Sequence, residues 1–207
     1  NTFDVGADGV IINNSAHVSL TQQAGYIEGN PNLVSGSASV ILNEVIQPNP
    51  SQLNGYIEVG GTRADVIVAN PWGISCNGCG FINTGRATFT TGSPSFGADG
   101  VLQGFDVHGG VVSIDGAGFN GNNIDQFDVI ARSLTLNADL YGRDVNLVLG
   151  QQTVSYDDLS VSNQTTDSDA PSLSVDSTAL GGMYANSIHL VSTEQGVGVN
   201  ISAPLAT

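Results

Sequence analysis

The stretch Asn70–Thr84 reads NPWGISCNGCGFINT and holds both cysteines of the chain, Cys76 and Cys79, with three glycines. Asn, Pro and Gly favour turns, because they fix or permit the backbone angles that turns need. The apolar run Asp65–Val68 just before it is typical of a buried strand. A turn-rich segment with two nearby thiols, placed beside a strand, fits a structural corner, a redox site or a metal site.

Short apolar runs resembling Asp65–Val68 recur along the whole chain. Their first branched residues stand at positions 40, 66, 112, 134, 145 and 188, and most separations are close to multiples of 11. A step of 22 residues would correspond to one turn of a three-sided solenoid with one short strand on each side. The repeat predicts an all-β parallel β-helix with Gly, Asn and Asp at its corners. A β-sandwich, which is also built from short strands and Gly turns, is the alternative.

The pattern predicts a single domain over residues 1–207. Residues 1 to about 35 contain short strands suited to capping the first turn of the coil, which would otherwise expose unpaired backbone. The coil is expected over about 36–207, with excursions near 47–63 and 151–177. We expect the similar segments Gly25–Glu28 and Gly55–Glu58 to pair in a small sheet outside the coil, and 151–177 to form a hairpin with a loose polar tip near 165–170.

Composition argues against some classes of function. Four Arg and no Lys stand against 19 acidic residues, a net charge of −15, so a nucleic-acid partner is not expected. Apolar residues make up 40% of the chain, enough for a sizeable core, and no apolar run reaches the ~18 residues that a membrane span needs. The chain begins at Asn1 without Met, and we expect a cleaved secretory signal upstream.

The cysteine pair is open to three interpretations. A thioredoxin-type site requires a helix after the CxxC, whereas strand-like residues follow here. Zinc requires two more ligands, and His17, His108 and His189 are far apart in sequence. A structural corner, formed by a tight disulfide or two buried thiols, is favoured over metal and redox roles.

Catalytic residues are sparse. Asp125 with Asp128, or Asp157 with Asp158, could be imagined as acid and base in a β-helical carbohydrate-active protein. No nucleophile, base and orienting group can be assembled, so a non-enzymatic role is expected, without cofactor or metal. A secreted β-helical carbohydrate-active enzyme or glycan-binding module is kept as the alternative function.

Several ordered motifs resemble a known family. Between residues 30 and 84 they are NPNL, NEV, SQLNG, NPWGI and CNGCGFINT, and later ALGGMY and EQGVGV follow, ending at 199. Together they resemble the two-partner secretion (TPS) domain that opens filamentous haemagglutinins, large haemolysins and contact-dependent growth inhibition toxins of Gram-negative bacteria. The usual NPNGI motif of that family has Trp72 in its third position here.

The resemblance implies a right-handed parallel β-helix with an amino-terminal cap and a small sheet beside the coil. It also implies a secretion-signal domain of a much longer exported adhesin or toxin, recognised by its TpsB (Omp85-type) outer-membrane transporter through periplasmic POTRA-type modules. The other expected partner is the downstream part of the same polypeptide, and the domain is expected to be a monomer. The residues that act as recognition or structural turns are then Asn30, Pro31, Asn32, Leu33, Asn70, Pro71, Trp72, Gly73 and Ile74. A disulfide between Cys76 and Cys79 stays one of the two forms of the structural corner, beside two buried thiols.

If the NPWG segment forms a β-turn, Trp72 takes its third position. Trp does not share the tolerance of Asn for left-handed backbone angles, so a type I turn is expected. Direct contact with the transporter and a purely structural turn are both open for the two Asn-Pro motifs.

Overall fold

The chain folds into short β-strands joined by turns. The computed structural model describes residues 1–207 and contains no helix that could span a membrane. Its 23 strands are, in chain order, β1 (Val10–Asn14), β2 (Ser19–Thr21), β3 (Gly25–Ile27), β4 (Val40–Glu44), β5 (Ser51–Leu53), β6 (Tyr56–Gly61), β7 (Ala64–Ala69), β8 (Ile74–Ile82), β9 (Thr84–Thr90), β10 (Ser93–Phe96), β11 (Leu102–Val107), β12 (Val111–Asn120), β13 (Gln126–Ala131), β14 (Ser133–Leu136), β15 (Leu140–Tyr141), β16 (Asp144–Leu149), β17 (Gln152–Ser155), β18 (Val161–Ser162), β19 (Leu173–Ser177), β20 (Met183–Tyr184), β21 (Ser187–Ser192), β22 (Gly198–Ile201) and β23 (Leu205–Ala206).

Most strands wind into a three-sided parallel coil. Face 1 stacks β5, the first half of β8, the first half of β12, β14, β19 and β22. Face 2 stacks β1, β6, the second halves of β8 and β12, β15, β20 and β23. Face 3 stacks β4, β7, β9, β13, β16 and β21. One circuit of the three faces is called a rung, so rung 1 is β5–β7, rung 2 is β8–β9 and rung 3 is β12–β13.

The predicted repeat is present in the pairing register. Val112 pairs with Leu134 across face 1, a step of 22 residues, and Val145 pairs with Ile188 across face 3. Every pair between rungs is parallel, so equivalent side chains stack into continuous columns. The prediction of an all-β parallel β-helix is confirmed, and the alternative of a β-sandwich is wrong.

A cluster of four phenylalanines fills the coil at rungs 2 and 3. Phe119 and Phe127 stack with ring centroids 3.9 Å apart, and Phe81 and Phe89 meet them edge-on or tilted. All four rings are at most 1% exposed. Because aromatic rings bury large areas and prefer such offset or edge contacts, this cluster anchors the middle of the core.

A four-stranded antiparallel sheet covers the outside of face 3. This side sheet has the order β10-β11-β17-β18. Its Phe105, Val107 and Val154 pack against the outward-facing Ile67 and Ile130 in a second, smaller core. Strands β7, β13 and β16 of face 3 are therefore buried on both sides, which explains their almost continuous apolar runs.

The extra sheet lies at different residues from those expected. Residues 47–63 are not an excursion, because β5 and β6 form rung 1, where Ile57 pairs with Phe81 and points into the core. Of the segment 151–177, only β17 and β18 leave the coil, and β19 returns to face 1. Residues 93–107, which supply β10 and β11, were not anticipated.

The predicted pairing of Gly25–Glu28 with Gly55–Glu58 is also wrong. Strand β3 pairs with β2 in an antiparallel amino-terminal hairpin that lies over β6. Glu58 points outward from β6 and is 3% exposed, and its two carboxylate oxygens accept the backbone N–H groups of Gln22 and Gln23 at 2.6 and 2.9 Å. The hairpin is thus attached to β6 by the buried carboxylate of Glu58, and not by strand pairing with β6. It belongs to the cap that encloses rung 1.

Removal of one ring from the phenylalanine cluster is expected to destabilise the coil strongly. Phe119→Ala leaves a cavity among buried rings, and we expect the free energy of unfolding to fall by about 3–5 kcal/mol. Phe96→Ala, at a ring that is 53% exposed, is the matched control and should change it by less than about 0.5 kcal/mol. Denaturant titration followed by circular dichroism measures both, and equal losses would contradict this account of the core.

Candidate recognition turns

The NPNL residues form a turn that fastens the cap. The carbonyl of Asn30 accepts the N–H of Leu33 at 3.3 Å, and its side-chain oxygen accepts the N–H of Asn32 at 3.0 Å. The Asn30 side-chain amide donates to the carbonyl of Asn13 at 3.1 Å, and its backbone N–H donates to Ser15 at 2.7 Å. Pro31 and Asn32 are exposed. Asn30 therefore binds the turn to the end of β1, seventeen residues earlier.

The NPWGI residues build the same geometry at the corner between faces 3 and 1. The carbonyl of Asn70 accepts the N–H of Gly73 at 3.0 Å, and its side-chain oxygen accepts the N–H of Trp72 at 3.0 Å. Among residues 70–74 only Gly73 has positive φ, at 116°. A type II turn would need positive φ at Trp72, so the backbone has the type I form that Trp at the third position predicts. Ile74 follows as the first residue of β8 and is 2% exposed.

Asn70 closes rung 1 upon itself. It is fully buried, and its side-chain amide donates to the carbonyl of Asn49 at 2.9 Å and to the hydroxyl oxygen of Ser51 at 3.0 Å. Its backbone N–H donates to Thr90 of the next rung at 2.9 Å. Every polar group of Asn70 is therefore hydrogen-bonded inside the folded coil. The two bonds donated by its side chain join the end of rung 1 to its start.

Trp72 is the exposed member of the turn. It is 54% exposed, and it lines two shallow depressions of about 290 and 130 Å³. Gly73 lies beneath it against the next rung, where an added Cβ would come 3.0 Å from the carbonyl oxygen of Val111. The turn is thus held tightly from below while its aromatic ring remains accessible.

Cys76 and Cys79 lie inside the coil at the bend between faces 1 and 2. Their sulfurs are bonded at 2.03 Å, both residues are at most 1% exposed, and both belong to the main core. The bend itself is made at Gly78, whose φ is 76°. The pair joins the last inward residue of one face to the first of the next, a structural position at a corner.

Three of the four acidic residues considered as acid and base pairs are engaged elsewhere. Asp128 is fully buried, is paired with Arg86 and accepts hydrogen bonds from Gln126 and Asn146. Asp125 pairs with two arginines on the surface. Hydrogen bonds from Ser160 lower the pKa of Asp158 to about 2, so this carboxyl is ionised at neutral pH and holds no proton to donate.

A buried ion-pair cluster near the NPWG turn was not anticipated from the sequence. Arg132 is 8% exposed and donates to both carboxylate oxygens of Glu194, which is 4% exposed, at 3.2 and 2.6 Å. It also donates to Asp167 at 2.6 Å and to the carbonyl of His108 at 3.3 Å. The hydrogen bond to Glu194 is the main cause that raises the pKa of Arg132. The polar segment 165–170, expected to be a loose tip, is fixed to the coil through Asp167.

Comparison with known proteins places this geometry in a known class. The TPS secretion domain family matches residues 1–206. The 16S rRNA endonuclease CdiA of Enterobacter cloacae is 50% identical over 203 residues, which are 97% of this chain and 6% of that protein. The tRNA nuclease CdiA-2 of Burkholderia pseudomallei is 44% identical over 207 residues, 100% of this chain and 7% of that protein. The crystal structure of the filamentous hemagglutinin secretion domain matches with a TM-score of 0.88 and 34% identity, over 96% of this chain and 69% of that one.

These features define a secretion domain built on a right-handed parallel β-helix, of the kind found in exported cell-surface proteins. The chain belongs to the TPS secretion domain family. It spans 6–7% of the length of the two CdiA proteins. The family, fold and exported location expected from the sequence motifs are confirmed.

Loss of the Asn70 side chain is expected to open rung 1. Asn70→Ala removes two donated bonds and one accepted bond in a buried place, and we expect a loss of about 2–4 kcal/mol in the free energy of unfolding. Asn32→Ala is the matched control, because the Asn32 side chain is exposed, and it should cost less than about 0.5 kcal/mol. Denaturant titration of both variants checks this, and a neutral Asn70→Ala would contradict the closing role.

The Arg132 cluster predicts a specific pH dependence. Its hydrogen bond to Asp167 lowers the pKa of that carboxyl below the ordinary value of 3.8. A lowered carboxyl pKa contributes stability above the ordinary value, and that stability is lost as pH falls through the folded-state pKa. Asp167→Asn should therefore lower the unfolding temperature at pH 7, and its difference from the wild type should shrink in the range below about 3.8.

Asp169→Asn is the neighbouring control for this measurement. Its carboxylate accepts only the hydroxyl of Ser168, at 3.3 Å, and contacts no arginine. Thermal unfolding between pH 7 and pH 2 (roughly the range over which an aspartate titrates) should show the converging difference for Asp167→Asn alone. The same pH profile in both variants would contradict the assignment.

Proposed function

We propose that this domain is the secretion signal of its exported protein and that a TpsB outer-membrane transporter of the Omp85 type reads it through periplasmic POTRA-type modules. The proposal is carried by the complete burial of Asn70 in the folded coil. If the transporter contacts the Asn-Pro motifs directly, it contacts Asn70 before rung 1 has closed. The transporter then recognises an extended chain, and the Asn70 turn forms only after export.

An extended signal can be bound by strand addition. In this mode the backbone of one segment pairs with the edge of another sheet, while pockets select alternate side chains. The residues around Asn70 suit it, since β7 before it and β8 after it are already strand-forming segments of six and nine residues. Pro71 also keeps the residue before it out of the helical region. Residues 30–33 and 70–74 are the proposed contact residues.

Folding then starts from the cap at the cell surface. Asn30 bonds to Asn13, and Asn70 bonds to Asn49 and Ser51, so both motifs close onto residues that precede them in the chain. The cap and rung 1 can therefore form before later rungs are present. Each new rung pairs with the one before it, and the downstream polypeptide continues the same stacking. The domain acts as a monomer in this scheme.

The domain is proposed to carry no catalysis of its own. The nuclease activities named for the CdiA relatives would lie outside the region that corresponds to residues 1–207, which is a small fraction of those proteins. The net charge of −15 supports this, because a nuclease must attract phosphate. All four arginines are also held in ion pairs.

Export and stability can be separated by matched variants. We expect Asn70→Ala to reduce secretion from cells that carry the cognate transporter by roughly tenfold or more, the loss that about 1.4 kcal/mol of binding would give. Phe119→Ala destabilises the same fold without touching either motif, and it should be exported better than Asn70→Ala at a comparable loss of stability. Equal export of the two would assign Asn70 to folding alone.

The extended state can also be tested directly. A synthetic peptide of residues 62–84 should bind the purified periplasmic modules, as measured by fluorescence anisotropy. The same peptide with Asn70 and Pro71 changed to Ala should bind at least about tenfold more weakly. The folded 207-residue chain should not compete. Competition by the folded chain, or equal binding of both peptides, would contradict recognition before folding.

A further inference from the structure

We propose that the free edge of β4 binds an extended peptide as one further parallel strand, with an apolar side chain of the peptide in the adjacent groove and basic residues beside it. Strand β4 ends the sheet of face 3, where β7 is its only neighbour. This edge exists only after the cap and rung 1 have folded. The proposal is therefore independent of any recognition of the unfolded chain before export.

The backbone of β4 points alternately toward β7 and away from it. The carbonyl of Ser39 accepts the N–H of Asp65, and the N–H of Val45 donates to the end of β7, both at 2.9 Å. The N–H and C=O groups of a strand change sides from one residue to the next. Those of Val40 and Leu42 therefore point away from β7, to the side where the sheet has no further strand.

Asn1 shows that this edge accepts an amide in the manner of a strand. Its side-chain nitrogen donates to the carbonyl of Glu44 at 2.7 Å, and its side-chain oxygen accepts the N–H of Ile46 at 2.9 Å. One residue of a parallel strand makes the same two bonds, to residues two positions apart on its neighbour. Asn1 thus fills the last place along the edge, and the places beside Val40 and Leu42 are left for a peptide.

The cap bonds to the outer edge of β1 but leaves most of the β4 edge open. On β1 the outward carbonyl of Asn13 accepts the side-chain amide of Asn30 at 3.1 Å. All five residues of β4 are half-buried or exposed. Proteins commonly protect an edge strand with Lys, Pro or a β-bulge, and the segment VILNE has none of these. An edge left open in this way is a template for another strand.

A groove of about 650 Å³, called the edge groove, begins at this edge. Its apolar members are Val40 of β4 and, from the side sheet and the turns that adjoin it, Val101, Leu102 and Tyr156. The ring of Tyr156 is held by an edge contact with Phe105, with centroids 6.0 Å apart. Side chains at equivalent positions of neighbouring strands lie on the same face of a sheet. An added strand would therefore direct alternate side chains into the edge groove, which is large enough for an apolar anchor.

Charge at the edge groove favours a basic peptide. Asp157 lines the groove and is exposed, and Glu44 is exposed at the end of β4. No arginine lines the groove, the chain has no lysine, and its net charge is −15. Lysine or arginine beside the apolar anchor would meet these carboxylates, whereas an acidic peptide would be repelled. A second copy of this chain would bring the same acidic edge, so it is disfavoured for the same reason.

The test uses the folded 207-residue chain and a labelled heptapeptide, Arg-Thr-Val-Leu-Val-Thr-Arg, with blocked ends. We expect saturable binding by fluorescence anisotropy, with a Kd below about 1 mM that rises with salt. Two further peptides carry N-methyl groups on one or the other set of alternate amides. Methylation of the set that faces β4 should weaken binding at least about tenfold, and methylation of the other set should change it less than about twofold.

Variants of the chain test the edge and the groove separately. Leu42→Pro deletes an outward N–H and keeps the bonds to β7, so it should weaken binding at least about tenfold, whereas Leu42→Ala loses the side chain but keeps the N–H and should bind more tightly than Leu42→Pro. Asp157→Lys should weaken binding about three- to tenfold. Its control is Asp8→Lys, at an exposed acid that does not line the groove, which should bind like the wild type. Denaturant midpoints verify that each variant is folded.

The proposal is overturned if no saturable binding is seen up to about 3 mM peptide, a concentration that still detects millimolar affinity. Equal effects of the two methylation patterns, or equal binding of Glu-Thr-Val-Leu-Val-Thr-Glu, would overturn it as well. Sedimentation of the chain alone completes the test. A concentration-dependent dimer that Leu42→Pro abolishes would assign the edge of β4 to a second copy instead of a basic peptide.

Discussion

The whole structure depends on the register between successive rungs. Each strand of the coil is satisfied only when the equivalent strand one circuit earlier is in place, because its N–H and C=O groups have no partner within their own rung. The coil therefore needs a defined beginning, and the cap with Asn30 and Asn70 supplies it. Once Val5 and β1 have paired with rung 1, every later circuit has a template. The core phenylalanines then add buried apolar area to a stacking of rungs whose register is already set by hydrogen bonding.

In the proposed scheme the Asn-Pro motifs act at two stages, recognition before folding and closure of the coil after it. In the folded chain Asn70 is buried and fully bonded, so its identity is explained by closure of rung 1 alone. Before folding, the same amide and the rigid proline are accessible to a transporter. In that scheme the two uses are separated in time. Trp72 differs because closure of the turn leaves its ring exposed.

The coil could be predicted from the sequence, but the side sheet and the amino-terminal hairpin could not. Branched residues at 112 and 134 marked neighbouring rungs because each rung repeats one pattern of inward side chains. Strands β10 and β11 were missed because antiparallel strands of a covering sheet alternate in the same way as strands of the coil. The resemblance between Gly25–Glu28 and Gly55–Glu58 misled for a similar reason, since likeness of two strands does not determine which partner each one takes.

The candidate site was only partly foreseeable. The motifs placed Asn70 and Trp72 at a turn, and the type I geometry followed from Trp at the third position. The roles of Glu58 and Glu194 could not be derived, because burial of a carboxylate depends on donors brought together from distant parts of the chain. Their rarity was a usable signal: the chain has only four glutamates, and two of them are buried as acceptors.

The bond between Cys76 and Cys79 spans only two intervening residues. If this disulfide forms before the polypeptide leaves the periplasm, it closes only a very small ring. The unfolded chain stays narrow, since no long covalent loop has to pass through a pore with it. In the proposed scheme of export, this link lets the chain travel unfolded with one bend of the future coil already set. Rung 2 then has less conformational freedom to lose when it folds outside.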